Sequence, residues 1–319
     1  MLTFRIVITY FLALFSFNTI PLESDPIKGV IVSIDDLYND TFVMWDKIFS
    51  IADDLNITSY VYITQYTNKT TILANYCRKY KNIIIITDYT TNTIWMRDYG
   101  PIFYKNKYGD LNILKIHYKH HRKYDKLLPF DFSYRFDIPI TKIDTIMEGG
   151  NFITNGDGIC IVSDKVLEYN LDINILKYYG CWRNIIIVKS LARDGTRHVD
   201  MWLTWVNKNT LFAGVYSRDQ DIENHHIMSN NIDYIKSFID INIVILPMPN
   251  RGLTDLSKSY INALIMNDHV ILPIYDDKTW EEKAISIWKQ YFRYIHPMYA
   301  ESLIKYDGAI HCIARTIPK

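Results

Sequence analysis

The chain has 319 residues, of which 49% are hydrophobic and 22% are charged. This balance builds an ordered core and excludes an intrinsically disordered chain. Lys and Arg together number 35, and so do Asp and Glu, so the formal net charge is zero. Binding to a phosphate backbone needs an excess of cations, which argues against a nucleic-acid partner. Four cysteines in this length also exclude a small disulfide-dense scaffold.

The N-terminal segment has the pattern of a secretory signal peptide. Arg5 is its only charge, and the apolar run Ile6–Phe17 is shorter than the roughly 20 residues that span a bilayer. We expect residues 1–22 to be removed and residues 23–319 to form one domain, with no membrane attachment after cleavage. The alternative is an uncleaved anchor or a buried first strand. Three Asn-x-Thr sites favour a secreted or lumenal protein; they begin at Asn39, Asn56 and Asn68.

Strand and helix patterns then alternate along the chain. Runs of β-branched residues between turn residues predict strands at Gly29–Ile34, Asn82–Thr87, Ile113–Tyr118, Gly158–Ser163, Asn184–Lys189, Leu211–Val215, Asn242–Leu246 and Val270–Ile274. Helical apolar spacing predicts helices at Phe42–Leu55, Thr71–Tyr80, Leu171–Tyr179, Ile227–Ile239 and Lys278–Tyr291. Thr279 and Glu282 form a candidate capping box for the last helix.

This alternation predicts the α/β class. The predicted helices recur about every 50–60 residues, which indicates some five structural units. We therefore expect one domain of repeated ββαβ-like units. Two doubly wound domains are the alternative.

Four short segments carry chemistry that core packing does not explain. Trp95–Pro101 places an aromatic ring, a guanidinium and a carboxylate in a loop after a predicted strand. Glu148–Asn151 contains two consecutive glycines, which let the backbone approach a ligand closely. His198 and Asp200 alternate in a strand-like run, so both would face one side. Ile310–Cys312 sets a histidine beside a cysteine near the C-terminus.

Each segment also has a plain structural explanation. Asp98 could pair with its neighbour Arg97, the glycine pair could be a turn, and His-x-Asp could lie on an exposed strand. Cys312 could be a buried apolar residue. Together, however, a cysteine, a histidine and several carboxylates are the components of a thiolate nucleophile with a proton shuttle. Their joint occurrence favours an enzyme.

With Ser259–Asn262, these segments resemble the agmatine deiminase and bacterial-type peptidylarginine deiminase family of guanidine-modifying enzymes. The shared motifs are Trp-x-Arg-Asp-x-Gly-Pro, Glu-Gly-Gly-Asn, His-x-Asp, Ser-Tyr-x-Asn and Ile-His-Cys, which run here from Trp95 to Cys312. Strand runs from Gly29 fit the first unit, so the resemblance covers essentially the chain after residue 22. It implies the pentein fold, an α/β-propeller of five pseudosymmetric ββαβ units around a central active-site channel.

The resemblance also implies the catalytic roles. Cys312 would be the nucleophile, His198 the general acid and base, and Asp98 and Asp200 the ligands of the substrate guanidinium. These roles suit the chemistry, because a guanidinium stays protonated and presents a planar fork of N–H donors that carboxylates bind in pairs. Only the thiolate attacks usefully, so Cys312 needs a lowered pKa, from His198 or from the bound cation.

Three further positions complete the implied site. Glu148 would support the histidine, Asn262 would lie near the nucleophile, and Trp95 would line the channel. The resemblance implies no metal and no other cofactor. Two departures put the channel width and the substrate in doubt: the usual glycine-rich run is reduced to Gly308-Ala309, and Arg197 stands where agmatine deiminases usually have glycine.

The substrate prediction depends on a basic segment, residues 118–123. Bacterial-type peptidylarginine deiminases place two carboxylate-binding arginines there; Arg122 matches one and His120 approximately the other. A solvated basic loop is the plain alternative. With the signal peptide, this favours a secreted peptidylarginine deiminase that converts arginine residues of peptides to citrulline and ammonia. A deiminase of agmatine or free arginine is the alternative enzyme, and a non-catalytic secreted binding module on the same fold is the alternative from another class.

Three cysteines remain outside the motifs. Cys160 and Cys181 lie in one predicted unit and could pair in an oxidising compartment. We favour the other interpretation, in which Cys77, Cys160 and Cys181 are all buried thiols. Cys312 must stay free if it is the nucleophile.

Overall fold

Sixteen strands and six α-helices make up the computed structural model, which describes residues 17–36, 42–68, 76–170, 172–250 and 256–319. The strands are β1 (Ile27–Ile34), β2 (Thr58–Thr64), β3 (Ile83–Thr91), β4 (Ile102–Lys105), β5 (Leu111–His117), β6 (Ile140–Ile146), β7 (Ile153–Thr154), β8 (Ile159–Ser163), β9 (Asn184–Val188), β10 (Leu203–Asn207), β11 (Thr210–Val215), β12 (Asn242–Pro247), β13 (Leu264–Met266), β14 (His269–Ile274), β15 (Tyr294–Tyr299) and β16 (Ala314–Pro318). The helices are α1 (Phe42–Asp54), α2 (Met96–Tyr99), α3 (Lys123–Phe136), α4 (Ile222–Phe238), α5 (Lys278–Trp288) and α6 (Glu301–Ile304).

The strands form five small sheets that repeat one pattern. In four of them an antiparallel hairpin is followed by a parallel third strand: β4-β5-β6, β7-β8-β9, β10-β11-β12 and β13-β14-β15. The remaining sheet has the order β16-β1-β2-β3, with β16 antiparallel to β1 and β1 parallel to β2. The C-terminal strand therefore supplies the first strand of the first unit. The five small sheets confirm five repeated ββαβ-like units, and they exclude two doubly wound domains.

Helices cross over between the parallel strands in four units. α1, α3, α4 and α5 connect the second and third strands of their units. A parallel connection needs such a crossover to return the chain to the same edge of the sheet. α1 buries Trp45, Ile48 and Phe49 in the same core as the apolar side of β1. In the third unit the described residues between β8 and β9 form two 3₁₀ segments, Asp164–Glu168 and Asn174–Tyr179, where the sequence predicted a helix.

The eight predicted strands are all present, but eight others were missed: β2, β4, β6, β7, β10, β13, β15 and β16. β4, β7 and β13 have four residues or fewer, which is too short for a periodicity signal. β15 has only exposed and half-buried residues, and β6 mixes exposed, half-buried and buried residues without a clean alternation along its first half. These strands are therefore defined by the strands they pair with, and their local sequence pattern does not predict them.

Helix ends also differ from the prediction. α4 begins five residues early, at Ile222, because the Asp221 side chain accepts a hydrogen bond from the Asn224 amide at 3.0 Å. The predicted capping box of α5 is wrong: Thr279 lies inside the helix, and Glu281 accepts the amides of Tyr275 and Asp277 instead. Residues 71–75 of the predicted helix Thr71–Tyr80 lie outside the described residues.

The described end of the predicted signal segment packs into the fold. Thr19 exchanges two backbone hydrogen bonds with Lys105, and Ile20 and Leu22 are buried. A boundary at residue 22 would therefore strip two core side chains from the protein. Residues 1–16 lie outside the described residues, and among the described ones no helix is long and apolar enough to cross a bilayer. Of the three predicted glycosylation sites, Asn56 and Asn68 are exposed and Asn39 lies outside the described residues.

Cys160 and Cys181 form a disulfide, so the favoured interpretation of three buried thiols is wrong. Cys160 lies on β8 and Cys181 just before β9, and these neighbouring strands bring the two Cα atoms to 5.4 Å. Cys77 is a free, exposed thiol, and Cys312 is free and buried.

We predict that the variants C160S and C181S each lower the free energy of unfolding by about 2–4 kcal/mol, because the cross-link restricts the unfolded chain. Urea denaturation followed by circular dichroism measures this loss. C77S is the matched control and should unfold like the wild type. Titration of four thiols in the denatured, unreduced protein would contradict the disulfide.

Candidate active site

Five short turns occupy the same position in the five units, directly before the first strand of each. They are α2 before β4, the 3₁₀ segments Gly149–Asn151, Val199–Met201 and His311–Ile313 before β7, β10 and β16, and residues 259–262 before β13. α2 contacts both Gly149–Asn151 and His311–Ile313, and Gly149–Asn151 contacts Val199–Met201. The fivefold repeat thus gathers at one centre all the motifs that are far apart in the sequence.

The predicted catalytic residues meet at this centre. Asp98, His198 and Cys312 line a cavity of about 200 Å³ together with Trp95 and Glu148. His198 and Cys312 are each 3% exposed, so the functional atoms are withdrawn from bulk water. Asp200 is buried beside them and Asn262 is fully buried.

Gly150 is the point around which three of these side chains pack. A Cβ atom at this position would lie 2.6 Å from Nδ1 of His198, 2.8 Å from Oδ1 of Asp98 and 3.1 Å from Oδ2 of Asp200. The Gly150 amide donates to Oδ1 of Asp98 at 3.3 Å. The second glycine of Glu-Gly-Gly-Asn is therefore needed for close approach, as the sequence suggested, although what approaches it is the site's own side chains.

His198 is held from one side by Glu148. Its Nε2 lies 2.8 Å from Oε2 of Glu148, and its Nδ1 lies 3.5 Å from Oδ1 of Asp98. Burial alone would lower the pKa of His198, but the carboxylates of Asp98 and Glu148 outweigh it and hold the pKa above 6.5. The imidazole can therefore carry a proton near neutral pH, and Nδ1 is the ring nitrogen on the side of Asp98.

Lys165 joins this group, although the sequence gave it no role. Its Nζ pairs with Oε2 of Glu148, lies 3.3 Å from Nε2 of His198 and donates to the Thr196 carbonyl at 2.6 Å. Burial lowers the pKa of Lys165, while Glu148 opposes that shift. No local pattern marks this lysine, because it follows β8 in a 3₁₀ turn and its burial depends on the neighbouring unit.

The thiol of Cys312 faces concentrated negative charge. Its Sγ lies 3.5 Å from Oδ1 of Asn262. Burial, and then the charges of Asp200 and Asp98, raise the pKa of Cys312 well above 9. Burial also raises the pKa of Asp98 to about 6, with Glu148 and Asp200 adding to the effect and His198 opposing it. A planar guanidinium has the charge and the donors to bind such a group of carboxylates.

Asp200 is anchored by the histidine beside the nucleophile. Its Oδ2 lies 2.7 Å from Nδ1 of His311, while Oδ1 has no hydrogen-bond partner among the described residues. Nε2 of His311 in turn lies 2.6 Å from Oε2 of Glu23. The Ile-His-Cys motif contained His311 without a role for it, and Glu23 follows directly after the predicted signal segment, so the sequence offered no reason to place it here.

The two predicted carboxylate-binding cations line the cavity but are already engaged. Nε2 of His120 lies 2.7 Å from Oε1 of Glu148, and Arg122 donates from Nη1 to the Tyr118 hydroxyl at 2.9 Å. Burial lowers the pKa of His120, although Glu148 opposes this, so at neutral pH its imidazole is mostly uncharged.

Both departures from the family pattern have a local explanation. Arg197 has a φ of 55°, a left-handed conformation that glycine adopts at no steric cost, and its guanidinium binds Glu168 at 2.5 and 2.8 Å. The ring of Trp95 packs directly on the Cα of Gly308, so the remaining glycine is the one that this contact needs.

The fold and the site define a hydrolase of C–N bonds in guanidino groups, built on the pentein fold. The family model of Porphyromonas-type peptidyl-arginine deiminases matches residues 40–318, and the chain belongs to that family. It is 26% identical to a candidate agmatine deiminase of Photobacterium profundum, over 88% of this chain and 87% of the relative.

Solved structures have the same fold. The C. jejuni agmatine deiminase superposes with a TM-score of 0.79 over 95% of this chain and 96% of its own, at 20% identity. The Enterococcus faecalis agmatine deiminase gives a TM-score of 0.75 over 95% of this chain and 96% of its own, at 17% identity. At this identity the likeness concerns the fold.

We predict that Cys312 of the free enzyme reacts slowly with iodoacetamide below pH 9, because burial and the two aspartates hold it as a thiol. The inactivation rate should still be rising at pH 9.5. A cationic chloroacetamidine should react faster than iodoacetamide at pH 7.5. C77S removes the exposed thiol and serves as the background protein; a rate plateau below pH 8 in that background would refute the prediction.

Proposed function

We propose that the protein is an agmatine deiminase, which hydrolyses agmatine to N-carbamoylputrescine and ammonia. The observation that carries the proposal is a carboxylate, Asp307, on the wall of the cavity that holds Asp98 and Cys312. Agmatine has a guanidinium at one end and an ammonium at the other, so it needs an anion at each end of its site. The C. jejuni enzyme, which has also been solved as a cysteine-to-serine variant with substrate bound, and the relative from Photobacterium support the same substrate.

Asp98 and Asp200 are proposed to bind the guanidinium. Charge-assisted hydrogen bonds to the planar cation would hold its central carbon facing Sγ of Cys312. The unpartnered Oδ1 of Asp200 supports this role. The bound cation would also cancel the charge that raises the pKa of Cys312, so thiolate would form when substrate is present.

The reaction then needs one base and one nucleophile. Sγ attacks the guanidinium carbon to give a tetrahedral adduct; the C–N bond breaks, and ammonia leaves with a proton from His198. Water deprotonated by the same imidazole attacks the resulting thiouronium, and the C–S bond breaks to release the ureido product. Nδ1 of His198 is buried without a hydrogen-bond partner among the described residues, and the residue lines the cavity, which supports the proton transfer. Glu148 orients the ring through Nε2.

The walls of the cavity suit a small, flexible substrate. Trp95 and Tyr118 offer apolar surface for a methylene chain, and Asp307 lines the same cavity beside Tyr306. The side chain of Asp307 is exposed. Partial desolvation, and then the charge of Asp194, raise the pKa of Asp307, and an ammonium next to it would favour the charged carboxylate.

Peptidyl or free arginine is the second candidate, because the guanidinium of Arg122 lines the same cavity. An α-carboxylate would have to compete there with the Tyr118 hydroxyl, and His120 would have to leave Glu148. These contacts make the carboxylate site weaker than the sequence suggested. Secretion also favours peptides, but it is a prediction from the N-terminal segment alone.

We predict that purified protein releases ammonia from agmatine with a kcat/KM at least about tenfold above that for free arginine, an internal-arginine peptide or a C-terminal-arginine peptide. The physical reason is that agmatine presents an ammonium with no carboxylate beside it, whereas the α-carboxylate of free arginine would be repelled by Asp307 and an arginine within a peptide chain has no ammonium there. A colorimetric ureido assay measures all four, and C312A is the inactive control. Preference for the C-terminal-arginine peptide would establish peptidylarginine deimination instead, and binding of agmatine without turnover would favour a non-catalytic module.

We predict that D307N raises KM for agmatine with little change in kcat, since it removes a charge-assisted contact to the part of the substrate that does not react. Such contacts contribute about 1.5–3 kcal/mol, or about tenfold to a hundredfold in kcat/KM. D233N, an exposed position on α4, is the matched control. Equal loss with a guanidine that lacks the ammonium would contradict this role.

A further inference from the structure

A carboxylate from the N-terminal segment reaches the buried centre of the protein. Residues Asn18–Asp25, which we call the N-terminal strap, precede β1. A second cavity, of about 50 Å³, is lined by strap residues, by Arg315 and by strand residues that include Ile102, Ile153 and Trp205. The strap thus lies against the first strands of four units, and Glu23 extends from it to the buried Arg97 and His311.

The strap is seated by specific contacts. Besides the pairing of Thr19 with Lys105, the Leu22 amide donates to Oδ2 of Asp25 at 3.1 Å and closes a turn around Glu23. Gly180, with a φ of 138°, makes room for Ile20: a Cβ at Gly180 would lie 2.6 Å from the Ile20 amide nitrogen. These contacts fix the turn, so Glu23 is held in place by the backbone.

Glu23 completes a chain of groups that ends at the substrate. Its Oε1 pairs with Nη1 of Arg97, and its Oε2 lies 2.6 Å from Nε2 of His311. Nδ1 of His311 lies 2.7 Å from Oδ2 of Asp200. Each ring nitrogen of His311 therefore faces a carboxylate oxygen. An imidazole donates from both nitrogens only when it is protonated, so the two contacts together require an imidazolium.

The charges around His311 support that state. Arg97 and Arg315 are buried cations on the same side, and Arg97 donates from Nε to the His311 carbonyl at 3.2 Å. Burial and Arg97 lower the pKa of His311, but Glu23 and Asp200 outweigh them and raise it above 6.5. Burial also lowers the pKa of Arg315 to about 9, with Arg97 adding to the effect. Glu23 is thus the anion that lets three cationic groups share this buried region.

We propose that Glu23 is a positioning residue for deimination: through a protonated His311 it fixes Asp200 with one oxygen anchored and the other directed at the substrate guanidinium. The inference rests on the proposed role of Asp200. Without Glu23, Nε2 of His311 loses its acceptor and Arg97 loses its partner. His311 then favours the neutral state, and Asp200 is held by a weaker, uncharged hydrogen bond.

The test uses steady-state kinetics with agmatine and chemical rescue. E23Q should lower kcat/KM about tenfold to a hundredfold, since small misplacement of a binding group costs that much. The alkaline limb of its pH profile should move to lower pH, because His311 loses its proton more easily. E23A should lose at least as much and regain about tenfold in activity with sodium formate, whose carboxylate can replace that of Glu23 between Arg97 and His311. E282Q, an exposed position on α5, is the matched Glu-to-Gln control and should match the wild type.

The variant L22A distinguishes a positioning role of the Glu23 carboxylate from a purely structural role of the strap. This variant removes a buried side chain but keeps the carboxylate, so formate should not restore any activity that it loses. Wild-type kcat/KM and pH profile in E23Q would overturn the proposal. The proposal would also be overturned if formate did not restore the kcat/KM of E23A and if E23A lowered Tm as much as L22A does.

A measurement on the wild-type protein tests the proposal even if the Glu23 variants do not fold. With ¹⁵N-labelled histidine, His311, assigned by comparison with H311N, should show two protonated ring nitrogens at pH 8; a neutral His311 would overturn the proposal. If the wild type turned over no guanidine, the proposed function would be rejected. The NMR result would still decide whether His311 is protonated between Glu23 and Asp200.

Discussion

Two carboxylates, the half-buried Asp98 and the buried Asp200, lie beside the buried thiol of Cys312 and form the interaction on which this site depends. Asp98 and Asp200 approach each other around Gly150, and their charges add to burial in raising the pKa of Cys312. Such a concentration of negative charge is unfavourable in a low-dielectric interior unless cations surround it. His198 and Lys165 lie on one side, and His311, Arg97 and Arg315 on the other. A guanidinium bound to Asp98 and Asp200 would add one more cation to this set.

The fivefold repeat explains how the chain assembles this site. Every unit begins with a turn that lies at the centre, and each turn contributes a different residue: Asp98, Gly150, Asp200, Asn262 and Cys312. The turns are equivalent in position, whereas their chemistry differs from unit to unit. β16 pairs with β1 and so fixes Cys312, two residues before that strand, against the turns of the other units. The pairing of β16 with β1 therefore both joins the end of the chain to the first unit and positions the nucleophile.

Two features interrupt the symmetry, and both lie beside the functional centre. The third unit has short 3₁₀ segments between β8 and β9, one of which carries Lys165 to Glu148 and His198. Its disulfide ties β8 to the segment before β9. The N-terminal strap packs against the same unit and brings Glu23 to His311. Lys165 and Glu23 thus lie outside the repeated pattern. They influence the protonation of His198 and His311, which the repeated turns position.

The amino-acid sequence by itself determined the class of fold, the number of units and the motif residues, because β-branched runs, helical spacing and short polar motifs are local properties. It did not determine half of the strands: three of these have two to four residues, too short for a periodic pattern, and the other five are defined by the partners they pair with. It also suggested His120 and Arg122 as a carboxylate clamp, whereas the tertiary structure engages them with Glu148 and Tyr118. The roles of Glu23 and Lys165 emerged only in three dimensions, and the structure decided between the two interpretations of Cys160 and Cys181 that the sequence left open. The physical reason is that a hydrogen bond or a pKa depends on which groups meet across units, and residues 23 and 311 meet only when the chain closes on itself.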